Sequence, residues 1–265
     1  MSDIGFQPAF QHIRLHTDGR LATVQLHRPA ARNALSVALM RELTSAAQAL
    51  AARCDIDAVL LTGDATCFTA GADMKDSAGW ADERLPLVER REIAGVGWRL
   101  CKAWEELPQV SIVAIEGYAV GGGLALAVAC DWRVMADNAF VSLPEIALGI
   151  PLTWGAIPRL TSLVGPARAK RLTILCERLG AADALAMGLV DHVTPPGAAL
   201  AKATDLAQQV LAMPAAAVRM SKATVNAVAT AGDLAASHMG LDQMMLAGTS
   251  AESRAARAAA LQRRS

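Results

Sequence analysis

The stretch "IEGYAVGGGLALAVACDWRV", residues 115–134, holds the signals that decide the fold. An apolar run ends at Ile115, Gly121, Gly122 and Gly123 break the pattern, a second apolar run follows, and Asp131 closes it. The run from Gly117 to Cys130 falls short of the roughly 20 apolar residues that a membrane span needs, and Glu116 and Asp131 bracket it. It reads instead as a buried helix entered through a tight turn. Glycine costs a helix about 1 kcal/mol relative to alanine, so a triplet at a helix start has a reason outside propensity. Either strand and helix pack closely, or another group approaches the main chain. A phosphate-binding P-loop fits less well, because no Gly-Lys-Ser/Thr follows.

Outward from this stretch, "DAVLLTG" (57–63), "SIVAIEG" (111–117) and "WRVMAD" (132–137) are apolar runs of strand length separated by helical patterns. That alternation predicts an α/β fold with strands buried on both faces. Near the N-terminus, two β-like runs flank "TDGR", and Asp18-Gly19 signals a hairpin. In "VALMRELTSAAQALAAR" (37–53), Leu39, Leu43, Ala46, Ala47 and Leu50 recur at helical spacing, with Ser36 placed as N-cap. Residues 77–107 are helical in pattern but interrupted at Gly79, Pro86, Gly95 and Gly97, which predicts a mobile segment over a site, with Trp80 and Leu85 within reach of a ligand. From Gly197 onward the chain is Ala-rich and strongly helical. We therefore expect a core over 1–196 and a helical region over 197–265 that serves oligomerisation.

The sequence carries 25 basic and 25 acidic side chains, so no net field draws it toward nucleic acid or an anionic membrane. No basic region followed by a long apolar stretch opens the chain, and a cytoplasmic location is expected. Five cysteines with no C-x-x-C pair argue against a disulfide framework and a zinc site, and we expect most of them to be buried. His12 and His16 share a strand face without the context of a metal site. Ser142 and His192 offer a hydrolytic pair, but no G-x-S-x-G elbow accompanies them.

Two Gly/Ala-rich turns follow buried strands: "CFTAGADMK" (67–75) and "GYAVGGGLALA" (117–127). Each can present main-chain N–H groups at a helix start, and two such donors converging on one point make an oxyanion hole.

With "HRPAARNALS", "FTAGADMK", "GYAVGGGLALAVACDWRV", "LPEIALGI" and "ERLGAADALAMGLVDHV" in this order and spacing, the chain resembles the enoyl-CoA hydratase/isomerase (crotonase) family from about Leu21 to Val193. The resemblance implies a spiral of ββα units, with C-terminal helices that mediate homotrimers or dimers of trimers. It implies acyl-CoA thioester substrates, with coenzyme A as part of the substrate and no prosthetic group. It implies that the N–H groups of Ala72 and Gly122 hold the thioester oxygen, with Gly121 and Gly123 clearing the approach. By the same comparison, Ala31, Arg32, Ala34 and the segment Ala70, Asp73, Met74 and Lys75 line the CoA moiety, and Arg28, Arg32 and Lys75 are candidates for its phosphates. Asp73 could equally serve as a helix cap.

Hydratases of the family typically place a glutamate three residues beyond the central glycine. Here that position is Ala125, preceded by Leu124. The family's second acidic position is kept as Glu145, the expected catalytic acid/base. Hydration needs one group to activate water and another to deliver a proton, whereas moving a double bond needs one base to lift a proton and return it elsewhere. A single glutamate therefore favours isomerase-like chemistry over hydration. A 2-enoyl-CoA hydratase, a CoA-thioester lyase or hydrolase, and a non-catalytic acyl-CoA-binding protein are the alternatives. Ile146, Leu148, Ile150 and Leu152 are expected to desolvate Glu145 and raise its pKa. Downstream, "GIPLTWGAIPRL" puts Thr153 and Trp154 where glycines are common in the family.

Overall fold

The computed structural model describes residues 10–76, 84–237 and 240–262. Strands β1 (Ile13–Asp18) and β2 (Leu21–Leu26) form the expected antiparallel hairpin, turned at Gly19 with φ of +55°. Strands β3 (Ala58–Thr62), β4 (Val110–Ile115), β6 (Trp132–Ala136) and β9 (His192–Thr194) extend β2 in parallel, giving the order β1-β2-β3-β4-β6-β9. A smaller sheet joins β5 (Tyr118–Val120), β7 (Phe140–Ser142) and β8 (Leu179–Gly180).

The spiral is visible in how β2, β3, β4 and β6 each hand over to the second layer before a helix. After β2, Leu35 bridges Ala72; after β3, Thr69 bridges Ala119; after β4 and β6 come β5 and β7. The helices that follow the first three are α1 (Val37–Ala51), the pair α2 (Leu87–Ala94) and α3 (Val96–Glu105), and α4 (Gly122–Ala127). Then come α5 (Ala156–Val164), α6 (Pro166–Leu175) and α7 (Ala181–Ala186). Ser36 caps α1 by accepting from the Leu39 N–H at 3.2 Å, and all five predicted apolar positions of that helix are buried. Gly95 separates α2 from α3, but Gly97 lies inside α3 rather than interrupting it. Leu85 is half-buried just before α2, and Trp80 and Gly79 lie outside the described residues.

The strands alternate between two apolar cores, which is why they read as continuous apolar runs. Val59, Leu61, Val113 and Ile115 face α1, α3 and α4, while Ala58, Leu60, Ile112 and Ala114 face the opposite side. That second side is closed by α8 (Ala199–Leu211), whose Ala199, Ala203, Ala207 and Val210 form one helical stripe against the sheet. The Glu116 carboxylate fixes the start of α8 by accepting the Gly197 and Ala199 N–H groups, each at 3.0 Å. The helical region beginning at 197 thus supplies its first helix to the core itself. It continues through α9 (Ala215–Ala229), α10 (Asp233–Ser237), α11 (Gly240–Gly248) and α12 (Ala251–Gln262). Among the described residues no helix is long and apolar enough to cross a membrane.

Candidate active site

The two Gly/Ala-rich turns meet. Beyond β3, Thr69 N–H donates to Tyr118 O and Val120 N–H to Thr69 O, both at 3.2 Å, so the first turn runs beside β5. Leu35 grips the residues on either side of Ala72: its N–H donates to Gly71 O at 2.8 Å and its carbonyl accepts from Asp73 N–H at 3.1 Å. A Cβ on Gly71 would lie 2.3 Å from Val120 O and 3.6 Å from Gly122 N, which measures how closely the turns approach. Among the described residues neither the Ala72 nor the Gly122 N–H has a protein acceptor. Gly122 is buried, and a buried main-chain donor without an acceptor is uncommon and costs free energy unless a ligand or water completes it.

Each glycine of the triplet makes room for a different side chain, so Gly121 and Gly123 do not simply clear a path for substrate. A Cβ on Gly121 would sit 2.7 Å from Glu145 Oε1; on Gly122 it would strike the Trp154 ring at 2.3 Å; on Gly123 it would strike Thr69 Cγ2 at 2.4 Å. Gly121 also takes φ of +55°, a conformation that favours glycine.

Glu145 opens a short 3-10 turn over Ile146–Leu148, its carbonyl accepting from Leu148 N–H at 3.0 Å and Ile150 N–H at 3.1 Å. The residue is half-buried, its carboxylate lies against Gly121, and Oε2 is buried with no hydrogen-bond partner. Burial penalises the charged form and pushes its pKa from the usual 4.5 up to about 7. Of the four apolar neighbours expected to do this, Ile150 and Leu152 line the cavity beside the carboxylate. Ile146 instead faces outward and Leu148 is not in the cavity wall, because the 3-10 turn rotates them away.

Two cavities meet at Ala72 and Asp73. The inner one, about 180 Å³, is bounded by Ala72, Gly122, Ala125, Glu145, Ile150 and Trp154 among others. The outer one, about 690 Å³, collects every residue expected at the CoA moiety: Arg28, Ala31, Arg32, Ala34, Ala70, Asp73, Met74 and Lys75. Arg32 and Lys75 are exposed at its rim, and Arg41 of α1, which no motif pointed to, joins them. Arg28 is engaged differently from a free phosphate ligand. It donates to Ala34 O and pairs with the Asp73 carboxylate at 3.0 Å, tying the two halves of the outer wall together. Asp73 Oδ1 accepts the Lys75 N–H at 3.0 Å, a local turn rather than a helix cap.

Ser142 and His192 belong to different sheets, and no cluster of metal-ligating side chains occurs among the described residues. Cys67, Cys101 and Cys130 are buried, Cys54 is exposed, and none is in a disulfide. Burial pushes Cys101 and Cys130 up to about 12, so neither is a thiolate near neutral pH.

A family model described as enoyl-CoA hydratase/isomerase matches residues 16–263. The chain belongs to the enoyl-CoA hydratase/isomerase family. A protein named crotonyl-CoA hydratase from Syntrophomonas wolfei is 34% identical over 219 residues, 82% of each chain. A short-chain-enoyl-CoA hydratase from Clostridium acetobutylicum is 32% identical over 216 residues, 81% of each. Among solved structures, an enoyl-CoA hydratase from Mycobacterium avium subsp. paratuberculosis superposes with a TM-score of 0.85 at 26% identity, covering 96% of each chain. The crotonase fold and acyl-CoA processing of this family are thereby those of the chain.

What the family motifs do not announce is the roof of the inner cavity. Met244, Met245 and Thr249 reach it from α11 and its C-terminal edge, Arg257 from α12, and Arg90 from α2. An Arg91–Asp242 pair at 2.9 Å fastens α11 to α2, and Gly149 fits so tightly under α12 that a Cβ would lie 2.5 Å from Ser253 Cα. No local sequence signal marks these residues, and those of α11 and α12 lie about a hundred positions beyond Glu145.

Proposed function

We propose that this family member moves the double bond of 3-enoyl-CoA substrates to position 2, with Glu145 as its single proton carrier. One observation carries the proposal: Ala125, 1% exposed, stands in the inner cavity with Glu145 and brings no second carboxylate. In this mechanism CoA occupies the outer cavity and the acyl group the inner one, so the thioester carbonyl lies at their junction. There the N–H groups of Ala72 and Gly122 receive its oxygen. Glu145 takes a proton from C2, the resulting negative charge spreads onto the thioester oxygen, and the same carboxyl returns a proton to C4. A donor of this kind, already in place before reaction, lowers the barrier by about 3 kcal/mol. A carboxyl with a pKa of about 7 suits both halves of the cycle, since it is a stronger base than an exposed glutamate and still gives the proton back.

Hydration of 2-enoyl-CoA is the second reading, favoured by the names of the relatives. The deciding experiment supplies 3-hexenoyl-CoA and 2-hexenoyl-CoA separately in deuterated water and identifies products by chromatography against authentic standards together with mass. Formation of 2-hexenoyl-CoA from the first, without 3-hydroxyhexanoyl-CoA from the second, supports the isomerase; rapid hydration of the second with no isomerisation overturns it. We also infer a homotrimer or a pair of trimers. Met220, Val225 and Val228 on α9 are exposed at 70%, 65% and 77%, an apolar surface suited to burial between copies.

A further inference from the structure

Trp154 stands in the wall of the inner cavity and in the wall of a neighbouring one. The neighbouring cavity, about 380 Å³, lies between α3, α5 and α11, and the two share Ala94, Leu152, Thr153 and Trp154 in their walls. Trp154 is thus one of four residues that border both spaces. Beyond it, Trp98, Ile157, Pro158 and Leu241 present apolar surface, with Arg91, Glu92 and Arg99 also in the lining.

We propose that Trp154 sets the acyl-chain length this enzyme accepts, by closing the inner cavity against the apolar space behind it. The proposal rests on the acyl-CoA placement given above. Three features hold the ring as a fixed partition. Gly97 of α3 and Gly122 of α4 form a slot for it, since a Cβ on Gly97 would lie 1.8 Å from Cε2 and one on Gly122 would lie 2.3 Å from Cζ3. The Trp154 backbone adopts φ of +60°, a strained choice for a bulky residue that persists only where surroundings impose it. The imposing group is Arg159, which donates to Trp154 O at 2.9 Å while its other nitrogens pair with both oxygens of Glu105 at 2.5 and 2.7 Å. Gly155 completes the arrangement at φ of +69°, where a Cβ would press on Arg159 Nη1 at 2.9 Å.

The inner space of about 180 Å³ holds roughly six water-sized groups, enough for a thioester carbonyl and a short chain. Each further methylene finds apolar burial worth about fourfold in affinity only if the wall is absent. The test measures calorimetric affinities of butanoyl-, hexanoyl-, octanoyl- and decanoyl-CoA, which carry no double bond to shift, for the wild type and Trp154→Ala. Expected is a wild-type affinity that stops rising beyond hexanoyl-CoA, and a variant that binds octanoyl- and decanoyl-CoA at least tenfold tighter while butanoyl-CoA changes less than threefold. An unchanged chain-length profile in the variant, or a wild type that gains steadily through decanoyl-CoA, overturns the partition. Should Trp154→Ala not fold by circular dichroism, Trp154→Phe leaves the slot partly filled and must move the ceiling by about two carbons; no movement overturns the proposal equally. Thioester binding without chain-length change sinks this inference alone, whereas no binding of any thioester sinks the acyl-CoA placement beneath it.

Discussion

Replacing Glu145 by glutamine keeps the shape of the side chain and removes its charge, so stability and catalysis can be read from one variant. Its pKa rises from 4.5 to about 7 on folding because the carboxylate is desolvated. At about 1.4 kcal/mol per tenfold change in acidity, holding the ionised form in place costs about 3 kcal/mol. The sign follows from proton binding. Between pH 4.5 and 7 the unfolded chain has released this proton while the folded chain keeps it, so the wild type loses stability as pH rises through that window and levels off above about pH 8. Glu145→Gln has no such loss. The two proteins should unfold alike near pH 4, and by pH 8 the variant should be more stable by about 3 kcal/mol, or about 5 °C in Tm for a chain of this length. Catalysis should move the opposite way. Wild-type kcat/KM for 3-hexenoyl-CoA should fall about tenfold from pH 8 to pH 6 as the base is protonated, and the variant should lose on the order of a hundred- to ten-thousandfold. Urea unfolding at several pH values and a pH-rate profile provide both measurements. Equal pH dependence of unfolding in the two proteins would refute the desolvated carboxyl, and a variant within tenfold of wild-type activity would refute its role as the base.

Three further outcomes are expected. Ala125→Glu restores a second carboxylate beside Glu145, and should raise 2-enoyl-CoA hydration while lowering the urea midpoint, because position 125 is buried; no gain in hydration would show that the missing glutamate is not what limits the reaction. Arg159→Ala strands the partly buried Glu105 carboxylate and releases Trp154 O, and should cost about 3–5 kcal/mol in denaturant unfolding, where a loss under 1 kcal/mol would make the pair dispensable. Arg32→Ala and Lys75→Ala should each raise KM for CoA thioesters several-fold with kcat unchanged, the effect shrinking with added salt as exposed charges do; a fall in kcat with KM constant would place them elsewhere in the reaction.

Much of the architecture is legible locally. The strands at 58–62 and 110–115 are buried at every position and almost wholly apolar because both faces are covered, and Ser36 starts a helix whose buried face repeats every three to four residues. The two glycine-rich turns and the pairing of Ala125 with Glu145 were likewise readable, since turn chemistry and motif spacing are properties of neighbouring residues. Arg28 shows the limit: its charge suits a phosphate, yet Asp73, forty-five positions later, claims it in the folded chain. Ile146 shows another, since an apolar residue next to Glu145 in sequence is turned outward by a 3-10 helix.

By itself the sequence determined the hairpin, the three buried strands, the first long helix and the helical C-terminal region, where the main chain can offer donors, and that only one of the family's two carboxylates is present. Only the tertiary structure decided that Gly97, Gly122 and Trp154 meet, that α11 and α12 roof the cavity of their own chain, and that Oε2 of the Glu145 carboxylate is buried. The physical reason is that periodicity and turn preferences act over a few residues, whereas desolvation and steric fit depend on groups that only chain folding brings within a few ångströms of each other.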